Sequence, residues 1–201
     1  DLPKNYMMRL LCCISLILLS LFGSALAQSD FREGDNVVSF GVGLGSALGS
    51  FSSNSRTPGL SVQFEHGQWE VGGPGTVSIG GYLGYKGFKN SGTFPYNGGS
   101  WRYDQHWRYI ILGLRSAYHY HGFEVKNLDP YGGLMLSYDI LDYSYSDNLP
   151  NVEYDYGGTY SSTLSLTLYL GSRYYFDSNW SAFAELGWGV SFLTVGMAYK
   201  L

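Results

Sequence analysis

Six charged residues recur at polar positions of segments in which apolar and polar residues alternate. They are three acids and three bases: Glu65, Lys86, Arg115, Asp139, Arg173 and Glu185. If these side chains share a narrow interior, they must neutralise one another, because an unpaired ion there is costly. A gated path for ions is the alternative use of the same residues. Balanced signs in a space that side chains fill favour a structural charge network.

A serine, an aspartate and a histidine lie close together in one polar stretch, at Ser100, Asp104 and His106. A serine nucleophile with a histidine base is the pair that many hydrolases and acyltransferases use. Such a pair must lie within hydrogen-bond reach, and nearness along a Gly- and Tyr-rich stretch does not provide that geometry. We therefore expect no catalytic residue in this chain.

Two of the four histidines, His119 and His121, are two residues apart and would lie on one face of a strand. Such a pair can hold a metal ion, but no third ligand is evident in the sequence. The sequence thus predicts neither a metal site nor a cofactor. A formal charge of −4 for the whole chain does not favour nucleic acid as a partner.

The first 27 residues have the pattern of an export signal. Lys4 and Arg9 accompany an apolar run over residues 10–22, which is too short to span a membrane. Ala25 and Ala27 then supply the small side chains that signal peptidase requires. We expect a signal peptide at residues 1–27, starting at Met7 or Met8, and one mature domain at residues 28–201.

Cys12 and Cys13 both lie within the expected signal, so the mature chain would contain no disulfide and no thiolate metal site. Removing Lys4, Arg9 and Asp1 with the signal changes the formal charge by one unit, to −5. An exported domain without disulfides must be held by its own backbone and packing.

Period-two alternation dominates the mature chain and predicts eight β-strands. In the sixth, for example, Leu164, Leu166 and Leu168 alternate with Ser165 and Thr167. The predicted strands cover residues 36–48, 59–70, 76–88, 107–120, 131–143, 164–173, 182–189 and 193–201. The stretches 46–57, 90–105 and 144–160 between them are rich in Gly, Ser, Asn and Tyr and are predicted to be long loops.

The two faces of these strands differ in a way that is unusual for a soluble sheet. One face is rich in Leu and the other in Gly, Ser and a few charges, while only 14% of all residues are charged. Soluble domains contain roughly 25% charged residues. If the apolar face contacts lipid and the small and polar face fills a lumen, the pattern is that of a transmembrane β-barrel.

Aromatic residues near the predicted strand ends suit the two membrane interfaces, where a ring can be apolar on one side and wet on the other. They are Trp69, Trp107, Tyr118, Tyr138, Tyr143, Trp180 and Trp188.

With these strands, the chain resembles the small eight-stranded outer-membrane barrels of the OmpA-transmembrane and OmpX-like group. The resemblance covers residues 36–201 and is most specific at the end of the chain. There Leu193, Val195, Met197, Tyr199 and Leu201 alternate up to the last residue. The resemblance implies an all-β, eight-stranded antiparallel up-and-down barrel in the outer membrane. It also implies that these five residues are the signal read by the barrel assembly machinery, and that lipid and lipopolysaccharide surround the barrel.

Three functions remain open at this point. We expect a non-enzymatic barrel with a structural or surface-interaction role, whose extracellular ligand the sequence does not identify. A narrow, porin-like channel for small solutes is the first alternative. An outer-membrane enzyme that modifies lipid A is the second, and it would have to use residues such as Ser100 and His106.

Overall fold

The computed structural model describes residues 31–49, 51–96, 98–123, 125–148 and 160–201, and these form nine β-strands. They are β1 (Asn36–Leu44), β2 (Ser55–Arg56), β3 (Gly59–Val71), β4 (Gly75–Tyr96), β5 (Gly99–Tyr120), β6 (Leu128–Asp147), β7 (Thr163–Tyr175), β8 (Trp180–Trp188) and β9 (Leu193–Lys200). The expected signal peptide, residues 1–27, lies outside the described residues. No helix in the described ranges is long and apolar enough to cross a membrane.

Eight of the strands close into a ring, and the two-residue β2 adds to the outside edge of β4. The ring runs β1, β3, β4, β5, β6, β7, β8, β9 and back to β1, and each neighbouring pair is antiparallel. The prediction of an eight-stranded antiparallel β-barrel is therefore confirmed.

Exposure alternates along the strands with the polarity that a membrane requires. In β7 the side chains of Leu164, Leu166, Leu168 and Leu170 point outward and are 64–66% exposed. Gln63, Ser137 and other polar side chains point inward and are buried. Burying polar groups and exposing leucines is unfavourable in water but favourable when hydrocarbon surrounds the barrel. The two faces therefore have the inverted arrangement that the sequence predicted.

The prediction of a long loop over residues 90–105 is wrong. These residues belong to β4 and β5, which pair without interruption from Gly75 with Tyr120 to Tyr96 with Gly99. Gly98 has a φ of 77°, a conformation that glycine adopts easily, and it allows a tight turn there. The segment is polar, but its Thr, Phe, Tyr and Trp residues favour strand pairing, which its glycines and serines concealed.

Other boundaries also differ from the prediction. The first strand ends at Leu44 rather than at residue 48, where the backbone turns at Gly45 with a φ of 69°. The strand predicted at 131–143 begins at Leu128, where it pairs with β7, and continues to Asp147, where it still pairs with β5.

Short connections at residues 72–74 and 176–179 lie at the end of the ring that holds the start of β1. Extracellular segments are longer than periplasmic turns in such barrels, and β4, β5 and β6 extend furthest at the opposite end, so we assign this end as periplasmic and the opposite end as extracellular. The C-terminal β9 returns to the periplasmic end, where the Leu201 amide donates to the Asn36 carbonyl. Val195, Met197, Tyr199 and Leu201 face outward along it, and their reading by the assembly machinery stays a prediction.

We predict that Leu166→Arg lowers the free energy of unfolding in a bilayer by about 2–4 kcal/mol, because the guanidinium would face hydrocarbon. Leu166→Phe, which keeps an apolar side chain at this outward position, should change stability far less. Urea titration of protein folded into lipid vesicles measures both values. Equal stability of the two variants would contradict the assignment of this face to lipid.

Candidate functional site

Four of the six predicted lumen charges meet in one buried cluster. The Arg115 Nη2 donates to Glu185 Oε2 at 2.8 Å, and its Nε lies 3.7 Å from Glu65 Oε1. Arg173 forms an ion pair with the other oxygen of Glu65. All four residues are almost fully buried, and they come from four different strands, β3, β5, β7 and β8. Their attraction therefore ties opposite walls of the barrel together across the lumen.

Two further residues complete this cluster, which we call the lumen cluster. Asp129 accepts from Arg173 Nη1 at 3.4 Å and pairs with His119 Nδ1 at 2.8 Å. The cluster also takes a hydrogen bond from the Tyr131 hydroxyl to Glu185 at 3.2 Å. Asp129 was missed because the predicted fifth strand began at residue 131. Extending the inward parity by two residues would have included it.

Lys86 and Asp139 lie nearer the extracellular end, and among the described residues their hydrogen bonds go to groups outside the cluster. The Lys86 ammonium donates to the Gly45 carbonyl at 2.6 Å and lies 6.0 Å from the ring centre of Phe88. The Asp139 carboxylate accepts from the hydroxyls of Ser137 at 2.8 Å and Ser165 at 2.5 Å. Four of the six charges therefore lie in one ion-paired cluster, and the other two are buried separately and hydrogen bonded to uncharged protein groups.

An aromatic layer closes the lumen above these groups. Phe51, from the segment between β1 and β2, stacks on Trp107 with ring centres 4.3 Å apart and planes 2° apart. Phe88, Tyr143 and Tyr160 pack around the pair. Trp107 is thus 1% exposed inside the lumen, and Tyr143 packs against it there. The prediction that these two residues lie at the membrane interface is wrong. We call these five residues the aromatic plug.

The space that remains between the plug and the lumen cluster is small. A cavity of about 20 Å³ lies among Arg115, Tyr169, Glu185 and Thr194 and neighbouring side chains. That volume admits about one water molecule. Among the described residues, side chains therefore fill the lumen around this cavity.

The serine and histidine of the hydrolase alternative are far apart. Ser100 and His106 lie on the outward side of β5 above the membrane part, six residues apart and so about 20 Å along the strand. Asp104 between them forms an ion pair with Lys89 at 2.7 Å. That hydrogen bond holds the pKa of the exposed Asp104 carboxyl below its usual value. The three residues do not form a catalytic site.

A serine–histidine–aspartate contact occurs elsewhere, inside the lumen cluster. The His119 Nε2 lies 3.2 Å from Ser78 Oγ, and Nδ1 lies 2.8 Å from Asp129 Oδ1. All three residues are fully buried. Glu65 Oε1 lies 3.5 Å from Ser78 Oγ and 3.9 Å from His119 Nε2, so a carboxylate competes for the same proton. The distances resemble those of a hydrolase, but the surroundings are those of an ion network.

His119 and His121, which the sequence places on one strand face, do not lie side by side in the structure. His119 is enclosed in the lumen, whereas His121 follows the end of β5 and its amide donates to the Pro74 carbonyl. Among the described residues, no group of three His, Cys, Asp or Glu side chains could hold a metal ion.

A second feature lies above the ring, where β4, β5 and β6 continue beyond their neighbours as a three-stranded sheet. β3 begins to pair with β4 at Leu60 and Tyr85, and β7 begins to pair with β6 at Thr163 and Asp139. Above these levels the three strands pair with one another. We call this part, residues 86–96, 99–110 and 140–147, the projecting sheet.

The inner face of the projecting sheet carries aromatic rings and amides. The rings of Phe94, Trp101 and Tyr103 lie with centres 5.5–6.0 Å apart. Asn90 Nδ2 donates to Gln105 Oε1 at 3.1 Å, and Gln105 Nε2 donates to the Tyr143 hydroxyl at 3.3 Å. Rings and polar groups are thus fixed in place above the membrane.

Comparison with known proteins relates the chain to outer-membrane barrels. The model of the omptin family matches residues 75–193. Among solved structures, the chain is similar to Ail, the attachment invasion locus protein of Yersinia pestis, in complex with the heparin analogue sucrose octasulfate. The identity is 11% over 85% of this chain and 100% of that chain, with a TM-score of 0.42. The chain is also similar to a backbone structure of Yersinia pestis Ail in a phospholipid bilayer nanodisc. The identity there is 12% over 84% of this chain and 100% of that chain, with a TM-score of 0.40. No curated protein matches the chain.

We predict that Arg115→Gln lowers the free energy of unfolding by about 3–5 kcal/mol, because Glu185 would remain buried without its cation. Removing the carboxylate as well, in Arg115→Gln with Glu185→Gln, should recover part of this loss. Denaturant titration in detergent or lipid gives the values.

Arg108→Gln is the matched control, because Arg108 pairs with Asp142 at 2.9 Å but both side chains are exposed. An exposed pair contributes about 1 kcal/mol or less. If Arg115→Gln cost no more than Arg108→Gln, the lumen cluster would not hold the barrel together.

Proposed function

The chain belongs to the omptin family, whose members are bacterial outer-membrane proteins, and we propose that it is a closed, non-catalytic barrel with a surface-interaction role. The observation that carries this proposal is the projecting sheet, which extends a rigid surface outward from a barrel whose lumen is filled. Its binding surface would be the inner face defined above.

The length of the projecting sheet supports a role outside the membrane. Residues 86–96 of β4 extend about 35 Å along the strand beyond the start of β3. They remain paired with β5 to the tip, and β5 remains paired with β6 up to Asp147. A paired sheet holds its side chains in fixed positions, which reduces the conformational entropy lost on binding.

The composition of this sheet supports recognition rather than simple coverage. Phe94, Trp101 and Tyr103 provide large, stiff contact surfaces, and Asn90 and Gln105 provide donors and acceptors beside them. Rigid aromatic anchors among adaptable polar groups are the composition of many binding surfaces.

The narrow-channel alternative has less support. The aromatic plug covers the extracellular mouth, the lumen cluster crosses the middle, and the cavity between them holds about 20 Å³. A conducting barrel would need a continuous wet path, and an eight-stranded ring is only wide enough for side chains.

Two points favour the enzymatic alternative. The omptin family includes proteases, and the distances among Ser78, His119 and Asp129 are like those in a hydrolase. Against it, all three residues are fully buried, and Glu65 competes for the proton. The other histidines do not help: His106 lies on the outside of β5, and His66 and His121 lie at the periplasmic end. No histidine therefore faces the extracellular mouth, where an external substrate would arrive.

The narrower resemblance to the OmpA-transmembrane and OmpX-like group is part of this proposal, and the eight-stranded ring supports it. We also propose that lipid and lipopolysaccharide cover the outward leucines and that β9 presents its outward residues to the barrel assembly machinery. The exposed apolar belt supports the first and the alternation up to Leu201 supports the second.

We predict that shortening the projecting sheet abolishes surface interaction without unfolding the barrel. The variant joins Lys89 to His106, which face each other across β4 and β5, through an Asn-Gly turn. Bacteria expressing it should bind poorly to a panel of immobilised matrix proteins, whereas wild-type cells should be retained. Heat-modifiable migration on gels checks that both barrels are folded and equally abundant.

Phe123→Ala is the control, because Phe123 is an exposed aromatic in a periplasmic connection. It should leave retention unchanged. Equal retention of cells with the shortened and wild-type proteins would overturn the surface role, and steady single-channel currents in a planar bilayer would favour the channel.

We predict no hydrolase activity from Ser78. Purified protein should not react with a fluorophosphonate serine probe, and cells with and without it should have identical lipid A by mass spectrometry. Enzymes with a catalytic serine and histidine lose several orders of magnitude of activity when either residue is removed. Probe labelling that disappears in Ser78→Ala or His119→Ala would establish the enzymatic alternative instead.

A further inference from the structure

The residues before β1 enter the barrel from the periplasmic end. The ring of Phe31 is 0% exposed and stacks on His119 with centres 4.1 Å apart and planes 27° apart. The Arg173 guanidinium lies 5.6 Å from the centre of the same ring. Phe31 also packs with Val37, Phe183 and Ala198. It therefore covers the periplasmic side of the lumen cluster.

A short turn holds Phe31 in this position. The Gly34 amide donates to the Gly67 carbonyl at 2.8 Å, and the Gly67 amide donates to the Asp35 carbonyl at 2.9 Å. The Arg32 amide donates to the Asp35 carboxylate at 2.8 Å, and that carboxylate pairs with Lys200 at 2.5 Å. Residues 31–35 are thus fastened to the rim of β3 and β9 but belong to no strand.

Gly67 is shaped to receive this turn. A Cβ atom at position 67 would lie 2.1 Å from the Arg32 carbonyl oxygen, a backbone atom that cannot move alone. The register of β3 against β4 also shifts between Gly67 and Trp69. Such an irregularity in a strand re-aims the backbone locally, and here it lies where the turn crosses β3.

We propose that residues 31–35 are a stopper that closes the periplasmic end of the lumen and can leave its seat while the ring of strands stays closed. The stopper shields His119, Asp129 and Arg173 from periplasmic water, and its departure opens the lumen from below as far as the lumen cluster. The device is independent of the proposed surface role, because the projecting sheet lies at the opposite end.

The stopper can separate from the ring of strands because the stopper and the ring are held by different interactions. The ring depends on the ladders between its eight strands, in which residues 31–35 take no part. The contacts of the stopper with the barrel include the buried side chain of Phe31, two backbone hydrogen bonds to β3, a hydrogen bond from a β3 amide to the Glu33 carboxylate, and an ion pair to β9. Segments with few such contacts open locally at much lower free energy than the whole domain.

The experiment measures access of a water-soluble maleimide to a cysteine placed behind the stopper. Ser39→Cys is the reporter, because Ser39 points inward, is buried, and pairs with Ala198, which belongs to the same buried cluster as Phe31. Protein from outer membranes is placed in nanodiscs and labelled, with the chain that lacks the reporter as background.

In the reporter chain, Phe31→Ala should raise the labelling rate by about tenfold or more, because the stopper loses the buried phenyl group that holds it in place. Gly67→Ala should raise the rate as well without changing any residue of the lumen cluster, because its methyl group displaces the Arg32 carbonyl. Gly81→Ala is the matched control, since a Cβ at position 81 meets no atom within 4 Å. It should label as slowly as the unmodified reporter chain.

Folding is checked by heat-modifiable migration on gels for every variant. Folded Phe31→Ala and Gly67→Ala barrels that label no faster than the control would overturn the proposal. Rapid labelling of the unmodified reporter chain would overturn it as well, because the stopper would then shield nothing. Failure of both variants to fold would show that the segment is part of the ring's folding core, which also contradicts a separable stopper.

Discussion

The structure depends on one constraint, which is that every backbone polar group inside a membrane must find its partner within the protein. A sheet meets this constraint only if it has no free edge. Here the edges are removed by the pairing of β4 with β5 and of β1 with β9, so the ladder runs around the whole ring. Once the ring has eight strands, its lumen is too narrow for bulk water. Inward side chains must then satisfy one another, and the lumen cluster and the aromatic plug are two ways of doing so.

The aromatic plug and the lumen cluster fill the lumen by different interactions. At the extracellular end, the plug uses ring stacking, because Phe51 and Trp107 can exclude water without any charge to balance. In the middle, Arg115 and Arg173 bring carboxylates from separate strands into contact, so that the opposite walls are linked. A buried ion pair is costly to form, but breaking one side of it is costlier still. The arrangement therefore favours a single, rigid lumen over a set of alternative packings.

Much of this could be predicted from the sequence, because the alternation of side chains has a period that only a strand shows. The faces followed from Leu166 beside Ser165, and the inward charges followed from the same parity. The limits were set by pairing between distant residues. The hairpin from Lys89 to His106 is polar and glycine-containing, so its local composition indicated a loop, while its stability comes from the partner strand. The parity of Arg115 also places Trp107 on the lumen face, but the cover over its ring comes from Phe51 in a distant segment, which no local pattern indicates.

The seam between β1 and β9 has a consequence for the order of assembly. β4 and β5 are joined by a tight turn, so their pairing closes a very short loop, whereas β1 and β9 are the first and last strands of the sequence. Loop-closure entropy grows with the length enclosed, and non-local contacts form slowly. We therefore expect the long hairpin to form early and the seam to close last. Asp35 and Lys200 meet across that seam. Their ion pair, and the seating of Phe31 beside it, can form only after closure, and they mark the completion of the barrel.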